Sequence, residues 1–366
     1  MGVEVAGVVA PHDASVGPSD AMDPAGAALA AGAAGAAASS DGAGASFAHD
    51  GSVSAVGRFA PSPTGRMHLG NILASLLAWL SVRSQGGKLV LRIEDLDDRA
   101  RSGPWDTLLM DDLRWLGLDW DEGPHYQTDR LDLYAAAVSQ LESMGLVYPC
   151  FCTRAELHAA SAPHASDGTP VYAGTCRGLT EAQVAERAAV RAPALRLRVP
   201  AKGDPVGAIS FADRTFGPHR EMLAAECGDF LVRRSDGVYA YQLAVVVDDA
   251  AMGVTEVVRG CDLLGSTARQ MYLQDLLGYG HPSYAHVPLL VAPDGRRLSK
   301  RDRDCDMAEL RARFCAPEAL LGKLAYAAGL APSPEPRSAE QLVDGFSWEV
   351  VRMHRGNIVV GQGFFA

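Results

Sequence analysis

The sequence predicts an α/β fold organised on a parallel sheet, and three observations carry that expectation. An extended run, Gly57-Arg58-Phe59-Ala60, leads into a helical apolar pattern over Ile72–Leu80, and a β-rich run follows over Lys88–Glu94. Strand, helix and strand within about forty residues make a βαβ crossover, which joins parallel strands. Hydrophobic residues make up 48% and charged residues 21% of the 366, a balance that suits a globular core.

Residues 1–54 stand apart. They are rich in Ala, Gly, Ser and Asp, with no aromatic before Phe47 and no sustained periodicity. Such a segment buries too little apolar surface to offset chain entropy, so a disordered extension or an over-long start is expected. It lacks the arginines of a transit peptide and the basic-then-apolar order of a secretory signal. No charge-free apolar run reaches the roughly 18 residues of a membrane span. Seven cysteines without export suit thiols or metal ligands in a reducing compartment, so a cytoplasmic location is expected. The net charge of −11 argues against a broad, nonspecific grip on nucleic acid and leaves room for a small basic contact.

After the first strand, Pro61 and Pro63 fix the backbone, Gly65 turns it, and His68-Leu69-Gly70-Asn71 opens the helix. A strand, a Gly/Pro turn and a helix N-terminus form a natural anion site, because the first helical turn has free N–H groups and the positive end of the dipole. By pattern alone, an ordinary strand-to-helix loop fits equally well. Glu94-Asp95-Leu96-Asp97-Asp98 follows the second strand at its carboxyl end, the edge where open α/β sheets bind ligands. Of these carboxylates Glu94 is the functional candidate, and the others read as a solvated loop. Trp105–Leu116 is an amphipathic helix, residues 117–124 form a turn-rich exit, and Asp129 is the expected N-cap of a helix over Leu131–Met144.

Residues 148–208 read as an insertion. Cys150, Cys152 and Cys176 fit part of a tetrahedral zinc site, with His158, His164 or Tyr172 as the fourth ligand. Three buried cysteines without a metal are the bland alternative. Ala194–Val199 and Ile209–Arg214 alternate as strands do, and Ser235-Asp236-Gly237 between Phe230–Arg234 and Val238–Tyr241 predicts a hairpin. Gln242–Asp249 fits helix or strand. Glu256–Gly260 reads as a further strand ending in Arg259, whose guanidinium suits bidentate grip of a carboxylate or an ion pair with Asp262 or Glu256. Leu263–Leu277 is helical, Val287–Val291 a short strand, Leu310–Gly329 one or two helices, and Ser347–Val360 a last helix.

Two stretches carry a resemblance. Ala60-Pro61-Ser62-Pro63-Thr64-Gly65 followed by His68-Leu69-Gly70-Asn71 resembles the "HIGH" signature of class I aminoacyl-tRNA synthetases in their glutamyl form, with Asn71 in place of the last histidine. Gly295-Arg296-Arg297-Leu298-Ser299-Lys300-Arg301 resembles their "KMSKS" loop, with Arg297 in place of the first lysine. Cys150-x-Cys152 with Tyr172-Ala173-Gly174-Thr175-Cys176 is similar to the zinc-binding members of the glutamyl-Q tRNA(Asp) synthetase family, which favours Tyr172 as the fourth ligand.

The resemblance implies a class I Rossmann-type catalytic domain in two halves, residues 55–147 and 209–305. The insertion would bear a structural zinc, and residues 306–366 would form a short helical tail without an anticodon-binding domain. It also implies an enzyme that activates L-glutamate with ATP and Mg²⁺ and passes the glutamyl group to queuosine in the anticodon arm of tRNA(Asp). Glutamate would be held by Arg58, Phe59, Ala60, Pro61, Ser62, Glu94, Tyr241 and Arg259. His68, Gly70, Asn71 and Lys300 would bind ATP, and His68, Asn71 and Lys300 would serve catalysis. Val245 stands where discriminating glutamyl-tRNA synthetases usually carry asparagine. The rival readings are a truncated glutamyl-tRNA synthetase charging the tRNA 3′ end, a catalytically dead nucleotide- or glutamate-binding module, and a ligase for a small thiol or amine.

Overall fold

The structure is a computed structural model and describes residues 54–159, 171–296, 298, 306–361 and 364–365. The extension over residues 1–53 lies outside them. β1 (Val56–Phe59), α1 (Leu69–Arg83) and β2 (Lys88–Ile93) form the expected crossover, and the strands pair in parallel with Phe59 opposite Leu91. Leu89 to Ile93 are all buried, as in a strand covered on both faces.

The next stretch departs from expectation. α2 (Trp105–Trp115) forms as read, but β3 (Glu122–Tyr126) adds in parallel to β2 within the supposed turn region. The Gly123-Pro124 pair after its first residue hides it: Gly123 has φ +100°, and a Cβ there would sit 2.3 Å from the Leu91 carbonyl oxygen. Asp129 is not the N-cap of α3 (Leu131–Ser143) either. It sits in a 3₁₀ turn over Gln127–Arg130, and Arg130 takes the cap position.

The insertion contains β4 (Val147–Cys150), α4 (Arg154–Ala159), α5 (Glu181–Ala188) and β5 (Ala194–Leu197). The antiparallel pair β6 (Ala208–Asp213) and β7 (Gly217–Met222) follows, then α6 (Leu223–Glu226) and β8 (Phe230–Arg233), and β4, β5 and β8 form an antiparallel sheet. The hairpin expected after β8 shrinks to a turn with one bridge between Arg233 and Tyr239. Its second arm is cut short because α7 (Tyr241–Ala251) begins at Tyr241 and carries Leu243 to Val247 into the core.

β9 (Glu256–Gly260) leads through a 3₁₀ turn to α8 (Thr267–Leu277), which Gly278 closes in the left-handed region at φ +74°. Pro288 divides the single strand expected over Val287–Val291 into β10 (Ser283–Val287) and β11 (Leu290–Val291). The tail holds α9 (Met307–Arg313), α10 (Pro317–Ala327), α11 (Ala339–Val343) and α12 (Trp348–Met353). The last expected helix stops at Met353, and β12 (Ile358–Val359) instead pairs in parallel with β11. The tail shares the core of α1 and β2, and the Trp348 indole donates to Ser81 Oγ at 2.8 Å.

Two strand groups meet at a seam. One runs β1-β2-β3, the other β9-β10-β6-β7. At the seam the Thr255 N–H donates to the Val56 carbonyl at 2.8 Å, and the Val56 N–H donates to Thr255 Oγ1 at 2.9 Å. The sheet runs in opposite senses from this point, β1 to β2 one way and β9 to β10 the other. Such a switch point opens a crevice at the carboxyl ends of the strands.

Candidate active site

One cavity of about 470 Å³ opens at that seam. Arg58 and Phe59 from β1, Ala60, Pro61 and Ser62 after it, Glu94 after β2, Tyr241 at the start of α7, and Arg259 in β9 all line it. His68, Gly70 and Asn71 at the N-terminus of α1 line the same cavity. The residues separated most widely in the chain thus converge, because the crossover brings the ends of β1 and β2 beside the end of β9.

The charges are arranged in opposition. Arg58 is buried, donates from Nη1 to the Val258 carbonyl at 2.8 Å, and lies 3.8 Å from Asp249. Burial, with Arg92 and Arg259 nearby, lowers its pKa from the usual guanidinium range, although Asp249 opposes the shift. Glu94 accepts from Arg92 Nη2 at 3.3 Å and from Ser62 Oγ at 3.4 Å. Burial pushes its pKa up against the pull of Arg92 and Arg58. A carboxylate so placed gains by receiving a further cation.

Arg259 is held from three sides. Its Nε donates to His286 Nε2 at 3.0 Å, Nη1 to Gln270 Oε1 at 2.7 Å and Nη2 to Thr267 Oγ1 at 2.9 Å. The ion pair considered with Glu256 does not form, since Glu256 faces Arg214 at 3.1 Å. Asp262, the other candidate partner, lines the cavity itself.

At the start of α1, Asn71 Oδ1 accepts from the His68 N–H at 3.2 Å and so fixes the first turn. A Cβ on Gly70 would lie 3.2 Å from the His68 ring, so the glycine lets that ring lie close to the backbone. Lys300 lies outside the described residues. Leu298, in the same segment, is buried and lines the cavity. Val245 is buried in α7 among apolar neighbours and is absent from the cavity wall.

A second cluster lies in the insertion. The ligand atoms of Cys150, Cys152 and Cys176 all fall within 4.8 Å of one another. Cys152 and Cys176 Sγ are 3.7 Å apart, and the Tyr172 hydroxyl is 3.5 Å from Cys150 Sγ and 3.7 Å from Cys152 Sγ. A tetrahedron with metal–sulfur arms of about 2.3 Å has edges of about 3.8 Å, so the spacing fits four ligands around one zinc. The Cys176 N–H donates to the Tyr172 oxygen at 2.8 Å, and Arg196 Nε donates to Cys150 Sγ at 3.2 Å, both of which favour anionic ligands. Burial opposes ionisation of Cys150, but its contacts with the Tyr172 hydroxyl, the Cys152 backbone and Arg196 outweigh it and its pKa falls, whereas burial pushes the Cys152 thiol up to about 11 and the Tyr172 hydroxyl above its usual range. The His158 side chain and all of His164, the alternative ligands, lie outside the described parts of the chain.

Sequence reasoning missed the charged floor beside the cavity. Arg92 is fully buried and pairs with Asp249 at 2.7 Å and Asp248 at 3.6 Å as well as with Glu94. An arginine inside the apolar run Lys88–Ile93 was the available signal, because a buried cation demands buried carboxylates. The acidic pair closing the apolar run of α7 supplies them.

Residues 54–331 match the family described as tRNA synthetases class I (E and Q), catalytic domain. The glutamyl-Q tRNA(Asp) synthetase of Symbiobacterium thermophilum is 50% identical over 303 residues, covering 79% of this chain and 91% of that relative. The glutamyl-Q tRNA(Asp) synthetase of Nitratidesulfovibrio vulgaris is 49% identical over 298 residues, covering 78% and 90%. Among solved structures, a glutamate tRNA ligase from Elizabethkingia meningosepticum in complex with its amino acid superposes with a TM-score of 0.71 at 25% identity, covering 86% of this chain and 68% of that one.

Proposed function

The chain belongs to the glutamyl-Q tRNA(Asp) synthetase family of class I ligases, within the glutamyl and glutaminyl synthetase group, and from this membership we propose the following activity. The protein activates L-glutamate with ATP in the absence of tRNA and transfers the glutamyl group to queuosine at the first anticodon position of tRNA(Asp). In the first step a glutamate carboxylate oxygen attacks the α-phosphorus of ATP, the bond to the bridging oxygen breaks, and pyrophosphate leaves. In the second a hydroxyl oxygen of queuosine attacks the activated carbonyl, AMP departs, and the hydroxyl proton passes to solvent.

The observation that carries this reading is the shared cavity of Arg58, Arg259 and Glu94 beside the N-terminus of α1. Two guanidiniums and one carboxylate complement a substrate with two carboxylates and one ammonium. In this reading Arg58 and Arg259 take the carboxylates, Glu94 takes the ammonium, and Ser62 and Tyr241 complete the wall with Phe59, Ala60 and Pro61. ATP lies against His68, Gly70 and Asn71, where the helix dipole favours its phosphates, and Lys300 neutralises charge on the departing pyrophosphate. Mg²⁺ accompanies the ATP and shields its phosphate charge. Positioning and charge stabilisation accelerate the first step without a covalent nucleophile.

Cys150, Cys152, Tyr172 and Cys176 hold one zinc, which ties the loop after β4 to the segment before α5 and has no part in the chemistry. The names of the relatives support queuosine as acceptor. The test is acceptor identification: purified protein, ATP and labelled glutamate are offered queuosine-containing tRNA(Asp) and tRNA(Glu). Label retained on tRNA(Asp) supports the reading. Label on the 3′ end of tRNA(Glu) alone would make the protein a conventional charging enzyme, and label on neither a binding module. Among the described residues no helix is long and apolar enough to cross a membrane.

A further inference from the structure

Behind Arg259 the buried polar chain continues across the sheet. His286 lies opposite Arg259 in the β9–β10 register, and its ring accepts the Arg259 Nε–H on Nε2 at 3.0 Å. On its other side, Nδ1 meets Asp213 Oδ2 of β6 at 2.6 Å. Asp213 is itself fixed, with Oδ1 accepting the backbone N–H groups of Thr215 and Phe216 at 2.9 Å each. His286 and Asp213 are 0% and 1% exposed, so water cannot substitute for either partner.

The geometry admits one tautomer. Arg259 has only N–H donors, so Nε2 must present its lone pair, and the single ring proton must sit on Nδ1 and point at Asp213. A charged imidazolium would lose the acceptor and stand against a guanidinium. Burial pushes the His286 pKa down to about 4, with Asp213 pulling the other way and Arg259 and His219 of β7 adding to the fall. Tyr284 stacks on the ring with centroids 6.4 Å apart.

We infer that Asp213 and His286 are positioning residues for substrate binding: the carboxylate fixes the imidazole tautomer, and the imidazole aims Arg259 into the cavity. This inference rests on the reading of Arg259 as a ligand of the substrate carboxylate. Neither residue lines the cavity, yet together they set affinity for the amino acid and leave the nucleotide alone. Asp213→Asn is the informative change. Its amide nitrogen in place of Oδ2 donates where the carboxylate accepted, which drives the ring proton to Nε2 and sets two donors face to face at Arg259. His286→Gln retains an acceptor for Arg259 and should be the milder variant.

The experiment is ATP–pyrophosphate exchange by the full chain at varied glutamate and ATP, with ¹⁵N spectra of the histidine rings. In the wild type the His286 proton is expected on Nδ1, and in Asp213→Asn on Nε2. The variant should raise KM for glutamate by roughly 10- to 100-fold, the worth of a charged hydrogen bond, with KM for ATP changed less than about twofold. His286→Gln should fall between it and the wild type, and it carries the test if Asp213→Asn does not fold. Equal rises in both KM values, an unchanged KM for glutamate, or a wild-type proton on Nε2 would overturn the inference. Absence of glutamate-dependent exchange in the wild type would instead overturn the functional reading on which it rests.

Discussion

Arg92 and Asp249 meet at 2.7 Å with the arginine wholly enclosed, and the same guanidinium reaches Glu94 at 3.3 Å. Burial opposes charge on Arg92, but Asp249, Glu94 and Asp248 together more than restore it, and its pKa rises. The substrate-facing carboxylate is thus anchored from within by an ion pair. Arg92→Leu removes the cation that the three acids share, leaving Asp248 with Arg130 at 2.6 Å and Asp249 with Arg58 at 3.8 Å, and should lower unfolding free energy by about 3–5 kcal/mol, the usual cost of breaking a buried pair from one side. Urea unfolding of the full chain measures it, and a loss below about 1 kcal/mol would show that the cluster reorganises freely.

Glu94→Gln removes the charge but keeps the shape. Folding should be little affected, because burial already disfavours the carboxylate. Glutamate-dependent exchange should fall roughly 100-fold in kcat/KM, as expected when a substrate ammonium loses a charged partner. The decisive comparison is with ATP binding, which should persist.

The cysteine cluster makes a prediction about metal. Purified protein should carry one zinc per chain, and Cys176→Ser should lose most of it, as read by elemental analysis. Stripping the metal with a chelator should lower the melting temperature and leave the cavity residues in place. Unchanged zinc content in the serine variant would remove the site.

His286 adds an acid limb to stability. Its pKa is about 4 in the fold against 6.5 when free, so above pH 6.5 both states are neutral and the full stability is present. As pH falls from 6.5 toward 4 the unfolded chain takes up the proton first, and about 3 kcal/mol is lost across that window. The difference between wild type and His286→Gln in unfolding free energy, followed from pH 7 to 4.5, isolates this contribution. A difference that stays flat with pH would contradict it.

Much of the fold was legible because its signals are local. The period-3.6 pattern after Asn71 and the apolar run at Lys88 specify α1 and β2 without help from the rest of the chain. The cavity was legible for a different reason, since Arg58 and Arg259 lie near the carboxyl ends of β1 and β9, Glu94 follows β2, and the crossover rule places those ends together. What escaped was set by tertiary context. β3 carries a Gly-Pro pair at its second and third positions that reads as a turn, and only its pairing with β2 makes it a strand. β12 is a two-residue strand defined by β11 alone. The partners of Arg259 come from α8 and β10, and no local pattern marks Thr267, Gln270 or His286 as its neighbours.

The proposed activity depends on a cavity that takes a dicarboxylic amino acid beside ATP. The direct measurement is pyrophosphate exchange by the purified chain without tRNA, with glutamate and glutamine compared at equal concentration. Exchange with glutamate and little with glutamine is the predicted result. No exchange above the amino-acid-free background, or equal exchange with glutamine, would contradict the claim.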